Sequence, residues 1–152
     1  MESPWDAIIL ARAGVERLGL EKYISSVIPT DEILPAAAQG ALAVEIRSSR
    51  EDLINLLAKS DDLSARTVVT AERSFLKSVQ GGCRLPVGAY ARLDGDKIIV
   101  EGFIGENDGS EIFRKKLVFP SSEPAKAGIA LAQELIDEGA GHILEKLNTR
   151  SV

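Results

Sequence analysis

Residues 87–119 read VGAYARLDGDKIIVEGFIGENDGSEIFRKKLVF and contain three short runs in which apolar residues recur, separated by two turn signals. The turn signals, DGD at 94–96 and NDGS at 107–110, carry the Asp, Asn and Gly residues that hairpins favour. The pattern therefore predicts a meander of three antiparallel strands, at about 87–93, 97–105 and 111–119.

A helical pattern precedes this meander. Apolar residues from Val68 to Val79 recur at spacings of three and four, which is the period of an amphipathic helix. Ser64 provides a capping signal at its start, and Gly81 and Gly82 stop it. The sequence predicts one long helix that packs on the meander.

A second helical pattern follows the meander. Pro120 ends the sheet, and Ser121 or Ser122 can cap the helix. An apolar stripe then runs from Ala127 to Leu147, with a weak point at the glycines of 139–141. Residues 61–152 are thus predicted to form an α+β unit, with helices on one face of a three-stranded antiparallel sheet.

The first 60 residues look incomplete by comparison. Residues 5–11 are a short apolar run typical of a strand buried on both faces, and residues 40–47 alternate as a strand does. A short helix is predicted after each, one broken near Gly19 and one capped by Ser48 or Ser49. These elements are too few to cover a sheet, so we expect an incomplete α/β segment that belongs to a larger body.

Composition and charge exclude several functional classes. The 152 residues are 45% hydrophobic and 27% charged, which excludes a disordered or collagen-like chain. With 18 Lys and Arg against 23 Asp and Glu, and no basic block, a nucleic-acid partner is not expected. The sequence has no apolar run long enough to span a membrane and no basic signal-peptide start, so we expect a cytoplasmic protein. His142 is the single histidine, which argues against a metal site.

The single cysteine, Cys83, lies in QGGCRLPVG at residues 80–88. Two glycines permit backbone conformations closed to other residues, so the thiol is expected on a tight loop between helix and strand. Arg84 or Arg73 could stabilise a thiolate. From the residues alone, Cys83 is a buried core residue, an accidental thiol or a reactive nucleophile.

Three blocks of sequence, in order, resemble the porphobilinogen deaminase (hydroxymethylbilane synthase) family. AERSFL at 71–76 leading into GGCRLPVGAYA at 81–91 resembles its cofactor-attachment region. DAIILARAGVERLG at 6–19 resembles the end of its second domain, and LPAAAQGALAVEIR at 34–47 resembles the crossover back into its first domain. The resemblance implies that the chain matches only the C-terminal half of a member. It assigns residues 1–33 to the tail of domain 2, 34–60 to the tail of domain 1, and 61–152 to the C-terminal cofactor-anchoring domain.

The resemblance also implies an activity. Members are transferases of tetrapyrrole and heme biosynthesis that join porphobilinogen molecules head to tail into hydroxymethylbilane. The product grows on a dipyrromethane primer held by a thioether, and the matching thiol is Cys83. Porphobilinogen and linear pyrrole intermediates are the implied ligands, and the missing N-terminal domains of the same enzyme are the implied partner.

Five further residues match the family's binding positions. Arg17 matches one of the arginines that bind pyrrole carboxylates. Gln39 and Gly40, and the backbone of Ala11 with Gly14, match positions that line the cofactor cleft.

Two residues depart from the family pattern, and one essential residue has no match. Ala38 stands where the family usually has Gly, and Arg12 stands where a small uncharged residue is usual. The family's essential aspartate lies in the part that this chain does not match. The resemblance therefore implies no catalytic residue in this chain and no activity of the chain alone. The alternative is a stand-alone, non-catalytic binding or interaction module derived from the same domain.

Overall fold

A computed structural model describes residues 5–79 and 86–149. The chain divides into two compact units, one ending at Ile33 and the other beginning at Leu34.

The first unit contains one short α-helix, α1 (Arg12–Arg17), and a 3₁₀ turn at Glu21–Tyr23. Gly19 has a positive φ of +67°, and its amide donates to the Glu16 carbonyl at 2.9 Å. This is the left-handed conformation in which helices commonly end, and it confirms the predicted break near Gly19.

The strand predicted at residues 5–11 is wrong. These residues form no strand, and the side chains of Ile8 and Ile9 are 73% and 74% exposed. A strand exists only where a neighbour completes its hydrogen bonds, and the described residues of the first unit hold no other strand.

The strand predicted at residues 40–47 is also wrong, because this segment pairs with none of the three strands of the second unit. The segment belongs to no sheet, and Leu42 and Val44 are 94% and 70% exposed. Helix α2 (Glu51–Leu57) follows, and a 3₁₀ turn at Ala58–Ser60 extends it. Its N-cap is Arg50 and not a serine, with no side-chain cap.

The long helix α3 (Leu63–Ser78) begins one residue earlier than the serine predicted to cap it. The Asp62 carboxylate caps the helix by accepting from the amides of Ser64 and Ala65 at 2.9 and 3.0 Å. Asp is as good an N-cap as Ser, and Asp62 lies two residues before the predicted Ser64. The stop predicted at Gly81 and Gly82 lies outside the described residues.

The predicted meander is confirmed to within one residue at each end. Strands β1 (Val87–Asp94), β2 (Lys97–Gly105) and β3 (Ile112–Pro120) form an antiparallel sheet in the order β1-β2-β3. Ala91 pairs with Val100, and Val100 pairs with Leu117, so one face of the sheet is apolar.

Helix α4 (Pro124–Leu135) packs on α3 and on the same apolar face of the sheet. Its N-cap is Glu123, followed by Pro124 at the first helical position, so the predicted serine cap is wrong. The predicted weak point is confirmed, because a π-type turn at Ile136–Ala140 kinks the chain at Gly139, whose φ is +123°. Helix α5 (Gly141–Thr149) continues beyond the kink.

The α+β class is therefore confirmed, with helices on one face of a three-stranded antiparallel sheet. The core between the helices and the sheet is built from fully buried apolar side chains. The largest of them are Phe75, Val79, Ile98, Val100, Ile104, Leu131, Leu135 and Ile143. Within the described ranges, no helix combines the length and the apolar character that a bilayer crossing requires.

Candidate functional site

Glu72 is a buried acid on the apolar face of α3. Only 6% of the residue is exposed, and it is the one buried charged residue among those described. Its two carboxylate oxygens accept from two backbone amides, Ala38 N at 2.6 Å and Ala91 N at 2.8 Å. This pair of hydrogen bonds, the Glu72 clamp, ties α3 both to β1 and to the segment that contains Ala38.

That segment, residues 34–40, is called here the crossover segment, and it follows the outer edge of β1. Leu34 is buried, and the Pro35 carbonyl accepts from the Ala89 amide at 3.2 Å. Ala89 and Ala91 are alternate residues of an edge strand, so their amides would otherwise lack partners. Pro35 and Glu72 together satisfy this part of the β1 edge.

Gly88 allows the crossover segment to approach the sheet this closely. A Cβ at Gly88 would lie 3.0 Å from the Pro35 carbonyl oxygen and 2.5 Å from Cε1 of Phe103. A side chain at this position would therefore displace either the crossover segment or the aromatic ring.

The crossover segment ends in a tight turn that carries two predicted cofactor-binding residues. The Gln39 amide donates to the Ala36 carbonyl, and the Ala41 amide donates to the Ala38 carbonyl, both at 3.0 Å. Ala38 and Gly40 have positive φ values of +64° and +85°. Gln39 and Gly40 are both exposed, so the turn presents them to solvent.

The environment of Glu72 changes its acidity. Burial is the largest influence and raises the pKa of the Glu72 carboxyl, while the hydrogen bonds from Ala38 and Ala91 oppose it and lower the pKa. The net direction is a raised pKa.

Cys83, the predicted covalent anchor, lies outside the described residues, as does its neighbour Arg84. The residues that flank its segment are described. Val79, 1% exposed, lies at the end of α3, and the Pro86 carbonyl accepts from the Gly105 amide at 3.0 Å. The cysteine segment thus connects the helix and the strand that the Glu72 clamp joins.

The remaining predicted site residues lie in helix α1 of the first unit or at its N-cap. The Ala11 carbonyl accepts from the Gly14 amide at 3.0 Å at the start of this helix, and Arg17 is its last residue. A Cβ at Gly14 would meet nothing within 4 Å, and Arg17 is exposed. Backbone and guanidinium groups on α1 are therefore accessible to a ligand.

Glu72 is not among the site residues predicted from the sequence. Its spacing of four from Val68 and three from Phe75 places it within the apolar stripe of α3, and an acid at such a position signals a buried carboxylate with partners.

The structure shows no group of three or more metal-ligating side chains among the residues it describes.

Two family models match this chain. Residues 66–137 match the C-terminal domain of porphobilinogen deaminase, and residues 1–55 match its dipyromethane cofactor binding domain. Curated relatives carry the same name. The porphobilinogen deaminases of Roseiflexus sp. and Roseiflexus castenholzii are each 46% identical over 143 residues, and that of Brevibacillus brevis is 42% identical over 147 residues.

The two matches show what kind of protein this is. It joins a C-terminal α+β domain to part of a cofactor-binding domain in one chain. The chain belongs to the porphobilinogen deaminase family. The alignments cover 94–96% of this chain but 47% of each relative, so the chain spans about half the length of the curated relatives it matches.

Proposed function

We propose that this chain supplies the C-terminal, cofactor-anchoring part of a porphobilinogen deaminase, a cytoplasmic transferase that makes hydroxymethylbilane for heme biosynthesis. The observation that carries the proposal is the pair of family matches over residues 1–55 and 66–137. The single cysteine of the chain lies in the sequence between α3 and β1. The domain limits expected from the resemblance, 1–33, 34–60 and 61–152, belong to the same proposal.

Cys83 is the proposed anchor of the dipyrromethane. Loss of ammonia from porphobilinogen leaves an electron-poor methylene carbon, and a polarizable thiolate is a suitable nucleophile for it. The C–N bond to ammonia breaks, the C–S bond forms, and the thiol proton is released. When bound, the dipyrromethane supplies the free pyrrole end to which further substrate units add.

The described residues fit such a group. The turn at Gln39 and Gly40 is exposed, and a Cβ at Gly40 or Gly14 would meet nothing within 4 Å, so both backbone stretches are open to a ligand. Arg17 offers a planar, bidentate donor suited to the carboxylates of pyrrole side chains. The role of Gln39, Gly40 and Ala11 with Gly14 is to line the cofactor, and that of Arg17 is to bind substrate carboxylate.

The proposal includes a deficit. The family's essential aspartate and most of its arginines have no counterpart in this chain, and single electrostatic contacts of that kind are worth orders of magnitude in rate. We therefore expect the 152-residue chain alone to produce no hydroxymethylbilane.

Reconstitution tests the proposal. The chain would be co-expressed with the N-terminal half of the Roseiflexus castenholzii relative, supplied with porphobilinogen, and measured by intact mass and by hydroxymethylbilane production. We expect a two-pyrrole mass increment on this chain and activity of the pair, both lost in Cys83→Ser. An increment that survives Cys83→Ser would refute the anchor, and activity of the chain alone would refute the deficit.

One observation favours a second candidate, the non-catalytic interaction module. Leu42 and Val44 are highly exposed apolar side chains, as expected where a partner binds. If the reconstituted pair associates but carries neither the increment nor activity, the interaction module is the better description.

A further inference from the structure

We propose that Glu72 is a positioning residue for cofactor attachment, which holds in place the turn that carries Gln39 and Gly40. The inference rests on the proposed function, because it assumes that this turn contacts the cofactor and that Cys83 anchors it. Glu72 itself does not touch the reacting atoms.

The Glu72 clamp extends beyond the helix that carries it. The two oxygens of Glu72 bind Ala38 N in the crossover segment at 2.6 Å and Ala91 N in β1 at 2.8 Å. The carboxylate belongs to α3, so a single side chain joins three separate pieces of backbone. Two of these pieces, α3 and β1, are the elements that the cysteine segment connects.

The clamp holds Ala38 in an unusual backbone conformation. Ala38 adopts a φ of +64°, which costs an L-residue other than glycine about 1–2 kcal/mol. The charge-assisted hydrogen bond that its amide donates to the buried carboxylate is strong enough to offset this cost. The next two residues along the chain are Gln39 and Gly40, so their placement depends on the same bond.

The carboxylate of Glu72 is chemically matched to the two amides that it binds. An ionised carboxylate has only acceptors, and both of its oxygens face amide donors. In Glu72→Gln one oxygen becomes an NH₂ group, which can only donate, so one of the two amides loses its acceptor and meets a second donor. The variant keeps the size of the side chain and removes half of the clamp.

Two measurements test the inference. In the 152-residue chain, amide hydrogen exchange followed by NMR should show Ala38 and Ala91 protected, and Glu72→Gln should lower the protection of at least one of them by about tenfold or more. In the reconstituted pair described above, Glu72→Gln should lower the rate of acquiring the two-pyrrole increment on Cys83 by a similar factor.

Matched variants separate positioning from general destabilisation. Ile143→Ala removes a buried side chain of α5 that is not part of the clamp. It should lower the melting temperature without a comparable loss of loading, which here means the rate of acquiring the two-pyrrole increment. Ala38→Gly added to Glu72→Gln should recover part of the loading, because glycine adopts positive φ without help from a clamp. If Glu72→Gln does not fold, Glu72→Asp, which keeps the charge but is shorter, should show a partial loss.

The outcomes are distinguishable. If the wild-type pair acquires no increment, the proposed function fails, and the positioning role fails with it. A different outcome is that the wild-type pair acquires the increment and the Glu72 variants that fold acquire it at the same rate. In that case only the positioning role is overturned. Equal losses in Glu72→Gln and Ile143→Ala at matched stability, or an unprotected Ala38 amide in the wild type, would also overturn it.

Discussion

At the residue scale, Ala38 is one of the two residues at which the resemblance implies a departure from the family pattern, and its backbone conformation is unusual. Its φ of +64° makes it the one residue other than glycine with a positive φ among those described. The resemblance implies Gly at this position, and the geometry gives the physical reason, since only glycine adopts this region without a steric penalty from Cβ.

We therefore expect Ala38→Gly to stabilise the second unit by up to about 1 kcal/mol, the relief of backbone strain being partly offset by the greater freedom of glycine in the unfolded chain. Urea unfolding followed by far-UV circular dichroism would measure the change. Ala36→Gly, two residues earlier at a negative φ, is the control and should destabilise. A loss of stability in Ala38→Gly would contradict the strain argument.

Glu72 and Glu101 should give stability profiles of opposite slope with pH. Burial, the largest influence on Glu72, raises its pKa in the folded state, so the native protein holds this proton more tightly than the unfolded chain does. The stability that Glu72 contributes is then fully present below the ordinary glutamate pKa and is lost as pH rises through the raised value. The urea midpoint of the wild type, taken relative to that of Glu72→Gln, should fall over this window.

Glu101 supplies the matched comparison. Burial tends to raise its pKa, but the hydrogen bonds and charges of Lys116 and Arg114 outweigh burial and lower it. Its contribution is present above the ordinary glutamate pKa and is lost as pH falls through the lowered value. The midpoint of the wild type relative to Glu101→Gln should therefore rise with pH, and two slopes of the same sign would contradict the argument.

At the scale of elements, the contact between α3 and α4 depends on a single glycine. A Cβ at Gly128 would lie 2.1 Å from the Ala71 carbonyl oxygen and 2.7 Å from the Phe75 amide nitrogen, both of them backbone atoms that cannot turn away. The two helices therefore pack backbone against backbone at this point.

Gly128→Ala should destabilise the second unit by about 3 kcal/mol, because the helices must separate to admit the methyl group and the core beneath them loses contacts. Gly141→Ala is the control. Its added Cβ would meet nothing nearer than 3.5 Å in a helical conformation, so its effect should stay within about 1 kcal/mol. Equal urea midpoints for the two variants would show that the contact is looser than the distances indicate.

The elements that sequence predicts well are those whose signals are local. The hairpin turns and the alternation of β1 to β3 are contained in adjacent residues, and the strands appear within one residue of their predicted ends. The apolar run at 5–11 and the alternating run at 40–47 have equally clear patterns but are not strands, because a strand depends on neighbours elsewhere in the chain. Two predicted N-caps are also wrong, since Asp62 and Arg50 lie at the N-cap positions of α3 and α2 in place of nearby serines.

The candidate site was predictable only where a family motif carried it. The resemblance pointed to Gln39 and Gly40, and these share one exposed turn in the structure. Glu72 was missed because hydropathy patterns count an acid as a surface residue, whereas its burial follows from two amides contributed by distant parts of the chain. Such a contact exists only once the crossover segment has folded onto the edge of β1.

At the scale of the whole molecule, most of the exposed large apolar side chains lie in the first 60 residues, which include both runs with the sequence pattern of a strand. Leu42 is 94% exposed and Val44 70%, on one side of an alternating run that has the pattern of a strand without a sheet. The curated relatives are about twice as long as this chain, since the alignments cover 47% of them. Under the proposed function, these side chains should therefore matter for association with the N-terminal half of the enzyme and not for the stability of this chain.

The double substitution Leu42→Lys and Val44→Lys tests this separation. In the chain alone, we expect the free energy of unfolding to change by less than about 0.5 kcal/mol, because side chains so exposed bury little surface when the chain folds. The affinity for the N-terminal half of the Roseiflexus castenholzii relative, measured by titration calorimetry, should fall by about a hundredfold or more. The reason is that each of the two apolar side chains would lose roughly 1.5–3 kcal/mol of free energy of burial. Ile98→Ala, in the buried core of the sheet, is the control and should destabilise the isolated chain. A double variant that binds the other half as tightly as the wild type would mean that residues 40–47 stay exposed in the pair and that the apolar run serves another surface.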